Sequence, residues 1–236
     1  MATLYAGTSG FAYPSWKPAF YPAGLAANRF LQHYAGRLNC VEINYTFRRL
    51  PSAATLAAWV EATPPGFVFA VKAHMRITHM LRLKNAEQAT DAFLKAIDPL
   101  RSARRLGPVL FQLPPNLKRD LPLLRDYLAL LPDDIRFAFE FRHESWLADE
   151  VYDELRRRHA ALCVAESEKL EVPEVVTAAF VYYRLRKPDY TDREVDAIAA
   201  RASEMLAAGH DLYALFKHED SPEGALHAQS LLKKAG

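Results

Sequence analysis

Charged side chains rarely sit inside apolar runs unless they are paired or used, and this chain places several there. Glu42 and Asn44 lie within the run 40–46, Lys72 and His74 at the end of 67–74, and Gln112 near the end of 108–113. Glu140 closes 135–141 with Arg142 just beyond, Glu166 ends 161–166, Arg184 sits late in 180–185, and Lys217 ends 212–217. Carboxylates beside fixed cations suit acid–base chemistry on an anionic molecule. Glu140 or Glu42 would move the proton, and Lys72 and Arg142 would stabilise developing negative charge. His79, in Ile77-Thr78-His79, is a second acid–base candidate, with a loop-capping histidine as the plainer alternative. Trp16 and Trp146 follow the first and fifth runs, where they are candidates to wall a binding mouth, with core or loop anchors as the plainer alternative.

The charges of this set have a sign. Glu42, Glu140 and Glu166 oppose Lys72, Arg142, Arg184, Arg186 and Lys217, leaving two positive charges in excess. Such an excess favours a phosphate or carboxylate as the ligand. A metal centre is the competing arrangement, because Glu42, His74, Glu140, Glu166 and His218 are all ligand types. No His-Glu-x-x-His spacing accompanies them, and neighbouring cations would repel a divalent ion, so neither metal nor cofactor is assigned. Two carboxylates also permit glycoside hydrolysis, but that reaction needs one of them protonated, which nearby cations oppose.

Side chains alternate across a strand, so these residues share a face only if their runs are strands. In 135–142, Phe137, Phe139 and Phe141 fall on one face, and Arg136, Ala138, Glu140 and Arg142 on the other. The same division puts Glu42 and Asn44 opposite Val41 and Ile43, and Lys72 and His74 opposite Phe69 and Val71. Eight such runs are predicted, at 4–8, 40–46, 67–74, 108–113, 135–141, 161–166, 180–185 and 212–217. Helical patterns lie at 29–37, 52–61, 86–103, 120–131, 150–159, 192–208 and 225–234, and 171–179 holds only a short or irregular crossover after the sixth strand.

Strand–helix alternation implies a parallel sheet. The α/β class is therefore expected, as a single (β/α)8 TIM-type barrel over residues 1–236, with an open doubly wound sheet as the alternative. Most of the inward polar residues fall late in their strands, at the end where barrels build their sites.

Composition bounds the partners. Half of the 236 residues are apolar, a quarter are charged, and the net charge is +2. That is not the balance of a protein held on nucleic acid mainly by charge. A small anionic molecule is the favoured partner and nucleic acid the less favoured one. A nucleic-acid role would require a contiguous basic stripe joining the mouth to one flank, and Arg101, Arg104, Arg105, Lys233 and Lys234 read as solvated helix faces. Cys40 and Cys163 fall in strands on opposite sides of a barrel, too far apart to bridge. No apolar run reaches the roughly 18 residues of a membrane span, and the start lacks a signal-peptide pattern. The expected setting is cytoplasmic, with no membrane partner. Nothing in the sequence indicates an oligomeric state.

These segments carry a wider pattern. Gly7-Thr8-Ser9-Gly10-Phe11 with Trp16 and Phe20-Tyr21-Pro22, Val41-Glu42-Ile43-Asn44 with Phe47, and Val71-Lys72 with Ile77-Thr78-His79 are three parts of it. Gly107 to Pro115 and Glu140-Phe141-Arg142-His143 with Ser145-Trp146 complete it. The chain resembles the DUF72 family of YecE-like proteins, a family of unknown function. The resemblance implies a TIM barrel whose shared mouth includes Glu42, Asn44, Lys72, His79, Gln112, Glu140 and Arg142, and it supplies no reaction. Two stretches depart from the family pattern: Arg184-Leu185-Arg186-Lys187-Pro188, where Arg-x-His-Gly is common, and Phe216-Lys217-His218-Glu219-Asp220, where an asparagine turn is common.

Overall fold

The computed structural model describes residues 1–187, 189–217 and 220–236. Eight parallel strands close into one barrel in sequential order. They are β1 (Leu4–Ser9), β2 (Cys40–Ile43), β3 (Val68–Lys72), β4 (Leu106–Gln112), β5 (Phe137–Glu140), β6 (Ala161–Ala165), β7 (Phe180–Leu185) and β8 (Asp211–Phe216). Helices α1 (Phe30–Ala35), α2 (Ala53–Glu61), α3 (Glu87–Ser102), α4 (Leu121–Ala129), α5 (Asp149–Arg157), α6 (Asp192–Ala207) and α7 (Glu223–Ala235) surround it. The β6–β7 crossover contains no helix among the described residues, in line with the expectation for 171–179.

Local chemistry sets several boundaries. Ser52 caps α2 by accepting from the Thr55 amide at 3.1 Å. Thr191 and Glu194 form a reciprocal capping box at the start of α6, which satisfies two otherwise orphaned N–H groups. Gly209 follows α6 at φ +87°, a conformation that costs glycine little. Pro114-Pro115 ends β4, since proline offers no N–H to the ladder.

The strand faces divide as alternation requires. Phe69, Val71, Phe111, Phe137, Phe139 and Phe141 join the apolar layer beneath the helices. Cys40, Ala70, Leu110, Ala138, Cys163 and Tyr182 fill the barrel interior. Both cysteines are buried free thiols. The N-terminal end is plugged: Tyr5 stacks on Tyr213 at 4.6 Å, and Arg136 pairs with Asp211 at 2.7 Å and donates to the Tyr213 hydroxyl. Arg136, the exception to the late-strand rule, thus belongs to the end away from the mouth. Among the described residues no helix is long and apolar enough to cross a membrane.

Candidate functional site

Late interior positions of β2, β5 and β7 bring Glu42, Glu140 and Arg184 together at the C-terminal end of the barrel. All three are essentially inaccessible, at 0%, 1% and 2% exposure. Arg184 bridges the two acids. Its Nη2 lies 2.6 Å from Glu42 Oε1 and its Nη1 2.6 Å from Glu140 Oε2. Glu42 also accepts from the Ser9 hydroxyl (2.8 Å), Asn44 Nδ2 (3.2 Å) and the Tyr182 hydroxyl (2.8 Å). Glu140 accepts from Gln112 Nε2, from Arg142 Nε at 2.8 Å and from Arg186 Nη2 at 3.2 Å. Gln112 turns its carbonyl to the Lys72 ammonium at 2.8 Å. The paired register of Gln112 and Glu140 on β4 and β5 makes that relay possible.

The electrostatics follow from this wiring. Burial alone would raise both carboxyls, but Arg184 outweighs it at Glu42, and Arg184, Arg186 and Arg142 together do so at Glu140. Both acids are held below the ordinary carboxylate range. They are therefore ionised at neutral pH, with every oxygen engaged, and are poorly suited to donating or taking a proton. Burial and then the Arg184 charge push the Lys72 amine down to about 8, against the partial opposition of both glutamates. Burial, followed by Lys72, Arg142 and Arg82, also lowers the His79 imidazole.

Lys72 stands 4.2 Å over the Phe47 ring, and His79 meets the same ring edge-on at 5.0 Å. His79 sits on a single π-helical turn (Arg76–Met80), with Nδ1 2.9 Å from the Thr78 hydroxyl. At pH 8 an amine titrating near that value is about half neutral, against well under a hundredth for an ordinary lysine. Acetylation at that pH should therefore modify Lys72 ahead of exposed lysines such as Lys118. Peptide mapping that finds the exposed lysines labelled first would contradict this environment.

The expected set is thus only partly gathered. Glu42, Asn44, Lys72, Gln112, Glu140, Arg142 and Arg184 meet, and His79 borders them through Phe47. His74 does not join them. β3 ends at Lys72, alternation stops there, and His74 instead lines a lateral cavity of about 340 Å³ with Leu50, Arg76 and Phe93. Glu166 follows the end of β6 and accepts from the amides of Arg186 and Lys187 and from the Tyr190 hydroxyl, which makes it a clamp on the loop after β7. Lys217 is exposed, and its amide donates to the Leu185 carbonyl at 2.8 Å.

The two tryptophans do not wall the mouth, since both are fully buried. Trp16 packs against Tyr13, Phe20 and Tyr21. Trp146 stacks on outward-facing Phe141 at 4.8 Å and donates to the Leu117 carbonyl. They tie loops to the helical layer. The Gly10 amide donates to the Thr8 and Glu42 carbonyls, so the turn after β1 does not hold that N–H out as an anion cradle.

Ser9 and Tyr182 were missed as partners of Glu42. Tyr182 shares the interior face of β7 with Arg184, two residues along, which was the available signal. His218 lies outside the described residues. Among the described residues no three histidine, cysteine or acidic side chains gather as metal ligands.

Known proteins agree with this architecture. A family model described as "Protein of unknown function DUF72" matches residues 5–236. UPF0759 protein YecE of Escherichia coli K12 is 32% identical over 146 residues, covering 61% of this chain and 50% of that protein. UPF0759 protein YunF of Bacillus subtilis is 29% identical over 157 residues, covering 64% and 55%. The matched region thus spans about half the length of these relatives. The crystal structure of a DUF72 family protein from Thermotoga maritima superposes with a TM-score of 0.85 at 26% identity, covering 98% of each chain. One from Enterococcus faecalis, at 18% identity, shares the fold with a TM-score of 0.78 and covers 99% of this chain and 98% of that one. With its family pattern matched from the first strand to the last residue, this chain belongs to the DUF72 family of proteins of unknown function.

Proposed function

We propose that the mouth binds a small anionic molecule, phosphorylated or carboxylated, through Lys72, Arg142 and Arg186. The observation that carries this reading is a layering of charge. The two acids form a buried, fully bonded floor, while the cations beside them reach outward, with the Arg142 and Arg186 side chains 37% and 20% exposed. Four cations over two carboxylates leave an excess of two positive charges at the opening. The buried Arg186 Nε has no hydrogen-bond partner among the described residues, so this guanidinium is not saturated by the protein. In this reading Glu42 and Glu140 position the cations. If the mouth also turns its ligand over, Lys72 is the group suited to take a proton, because its amine titrates near working pH. Both thiols are free, which fits a reducing, cytoplasmic setting.

Calorimetric titration with inorganic phosphate tests the site. Removing one charged hydrogen-bonding partner, as in Arg142→Gln, should weaken phosphate by roughly 10- to 100-fold. Affinity in the unaltered protein should fall as pH rises through about 8, where Lys72 loses its proton. No saturable phosphate or sulfate binding, or an affinity indifferent to Arg142, would sink the proposal.

A further inference from the structure

The cations continue beyond the mouth. Between Glu42 and Glu87 the sequence holds one acid, Glu61, and it is the last residue of α2. That helix runs back toward the opposite end of the barrel, so the loops after β2 and β3 contain no acid at all. They contain Arg48, Arg49, Arg76, Arg82 and Lys84. Arg48, Arg49, Arg76 and Lys84 are exposed and Arg82 is half-buried. None of the five forms an ion pair among the described residues, whereas Arg101, Arg156, Arg201 and Lys234 on the outer helices each have an acidic partner.

The two loops form one surface. The Thr46 hydroxyl donates to the Lys72 carbonyl at 2.6 Å, and His79 packs on Phe47. Leu50 shares the lateral cavity with His74 and Arg76. Arg82 lies close enough to His79 to act on its imidazole together with Lys72 and Arg142, which joins the rim to the mouth.

Two further features mark this rim. Large apolar side chains are left open on it: Tyr45 is 49% exposed and Met80 67%. In addition, Arg82, Leu83 and Asn85 all hold left-handed backbone conformations, at φ 52°, 67° and 48°. Asparagine enters this region readily, but it is uncommon for Arg82 and Leu83, whose backbone the surrounding loop must hold. Arg101 and Arg105 do not extend this rim: Arg105 is buried, donating to the carbonyls of Thr63, Pro64 and Phe67, and Arg101 pairs with Asp134.

We propose that this rim binds single-stranded nucleic acid, with phosphodiesters along Arg48, Arg49, Arg76, Arg82 and Lys84 and a base stacked on Tyr45. Cations without ion pairs among the described residues, set on two joined loops beside an open aromatic ring, suit a flexible strand. A single strand fits better than a duplex, because the rim consists of loops and short turns and presents no long helix or two-stranded ribbon to enter a groove. This inference goes beyond the small-anion reading and uses different residues, so either can fail alone.

Fluorescence anisotropy with a labelled oligothymidylate of about twelve nucleotides, read between about 50 and 200 mM salt, tests it. Five phosphate contacts predict a log–log salt slope of about −3.5, and Arg48→Gln with Arg49→Gln should flatten it by about 1.4. Tyr45→Ser should weaken the oligonucleotide roughly tenfold with the slope unchanged. These exposed substitutions should leave the melting temperature and phosphate binding at the mouth as they were, which separates this result from that of the mouth. The proposal is overturned by no binding at the lower salt, or by rim variants that bind like the unaltered protein. It is equally overturned if Tyr45→Ser has no effect and inorganic polyphosphate displaces the strand at equal phosphate concentration, because the rim would then be a general polyanion surface.

Discussion

Replacing Arg184 with methionine should cost about 3–5 kcal/mol of stability, because it strands buried carboxylates without their counter-charge. For a chain of this length that corresponds to a fall in melting temperature of roughly 6–20 °C. Glu140 would keep Arg142, Arg186 and Gln112. Glu42 would keep only the neutral donors of Ser9, Asn44 and Tyr182, so it carries most of the loss. The pH dependence distinguishes charge compensation from simple loss of packing. In the unaltered protein both carboxyls titrate below their unfolded values, because Arg184 and its neighbours outweigh burial. Their stabilisation is therefore full at neutral pH and disappears on acidification. In the variant the sign reverses at Glu42, where burial then dominates, and protonation on acidification restores stability. The gap in melting temperature between the two proteins should therefore narrow from pH 7 to pH 5, and a gap that widens would rule out the charge argument. Lysine should not rescue the site, since one ammonium cannot reproduce two nitrogens reaching two separate acids.

Gly7→Ala should be the other severe substitution. Gly7 lies opposite Cys40 where β1 pairs with β2. A Cβ at this position would stand 1.8 Å from the Cys40 carbonyl oxygen and 2.8 Å from the Tyr34 hydroxyl. The first of these is backbone within a ladder, which cannot rotate away. Relief requires separating the strands, and Tyr34 already donates to the Cys40 carbonyl and accepts from the Thr8 amide at this seam. Overpacking of this kind costs about 3 kcal/mol or more. A urea titration should show the midpoint lowered accordingly, and an unchanged midpoint would mean that β1 is not held against β2 in this register.

Much of the barrel was legible because the chemistry of alternation is local. Phe137, Ala138, Phe139 and Glu140 face as their spacing predicts, and the late position of Arg184 marked it for the mouth. The misplacements cluster where strands end. Alternation carries no information past Lys72, so it misplaces His74, while Glu166 lies just beyond Ala165, where β6 has ended and the loop after β7 claims its carboxylate. Trp16 and Trp146 sit on loops whose direction is set by packing against Tyr21 and Phe141, which no local spacing encodes. Nor does the sequence reveal whether an acid among cations is free to react. Glu42 and Glu140 have the right types and neighbours for catalysis, yet the folded chain uses every one of their oxygens.

The Arg184 bridge also bears on the order in which the molecule assembles. It joins residues 142 positions apart at Glu42 and 44 apart at Glu140. The ring itself closes only when β8 meets β1 along the register from Leu4–Leu212 to Thr8–Phe216. During synthesis, Glu42 emerges long before its counter-charge, and the edges of β1 and β8 stay open until the last strand arrives. Contacts of such separation form late and slowly, and the exposed strand edges invite association with other chains. The floor of the mouth therefore waits on long-range assembly: Glu42 is left without its counter-charge until β7 has been made and folded against it.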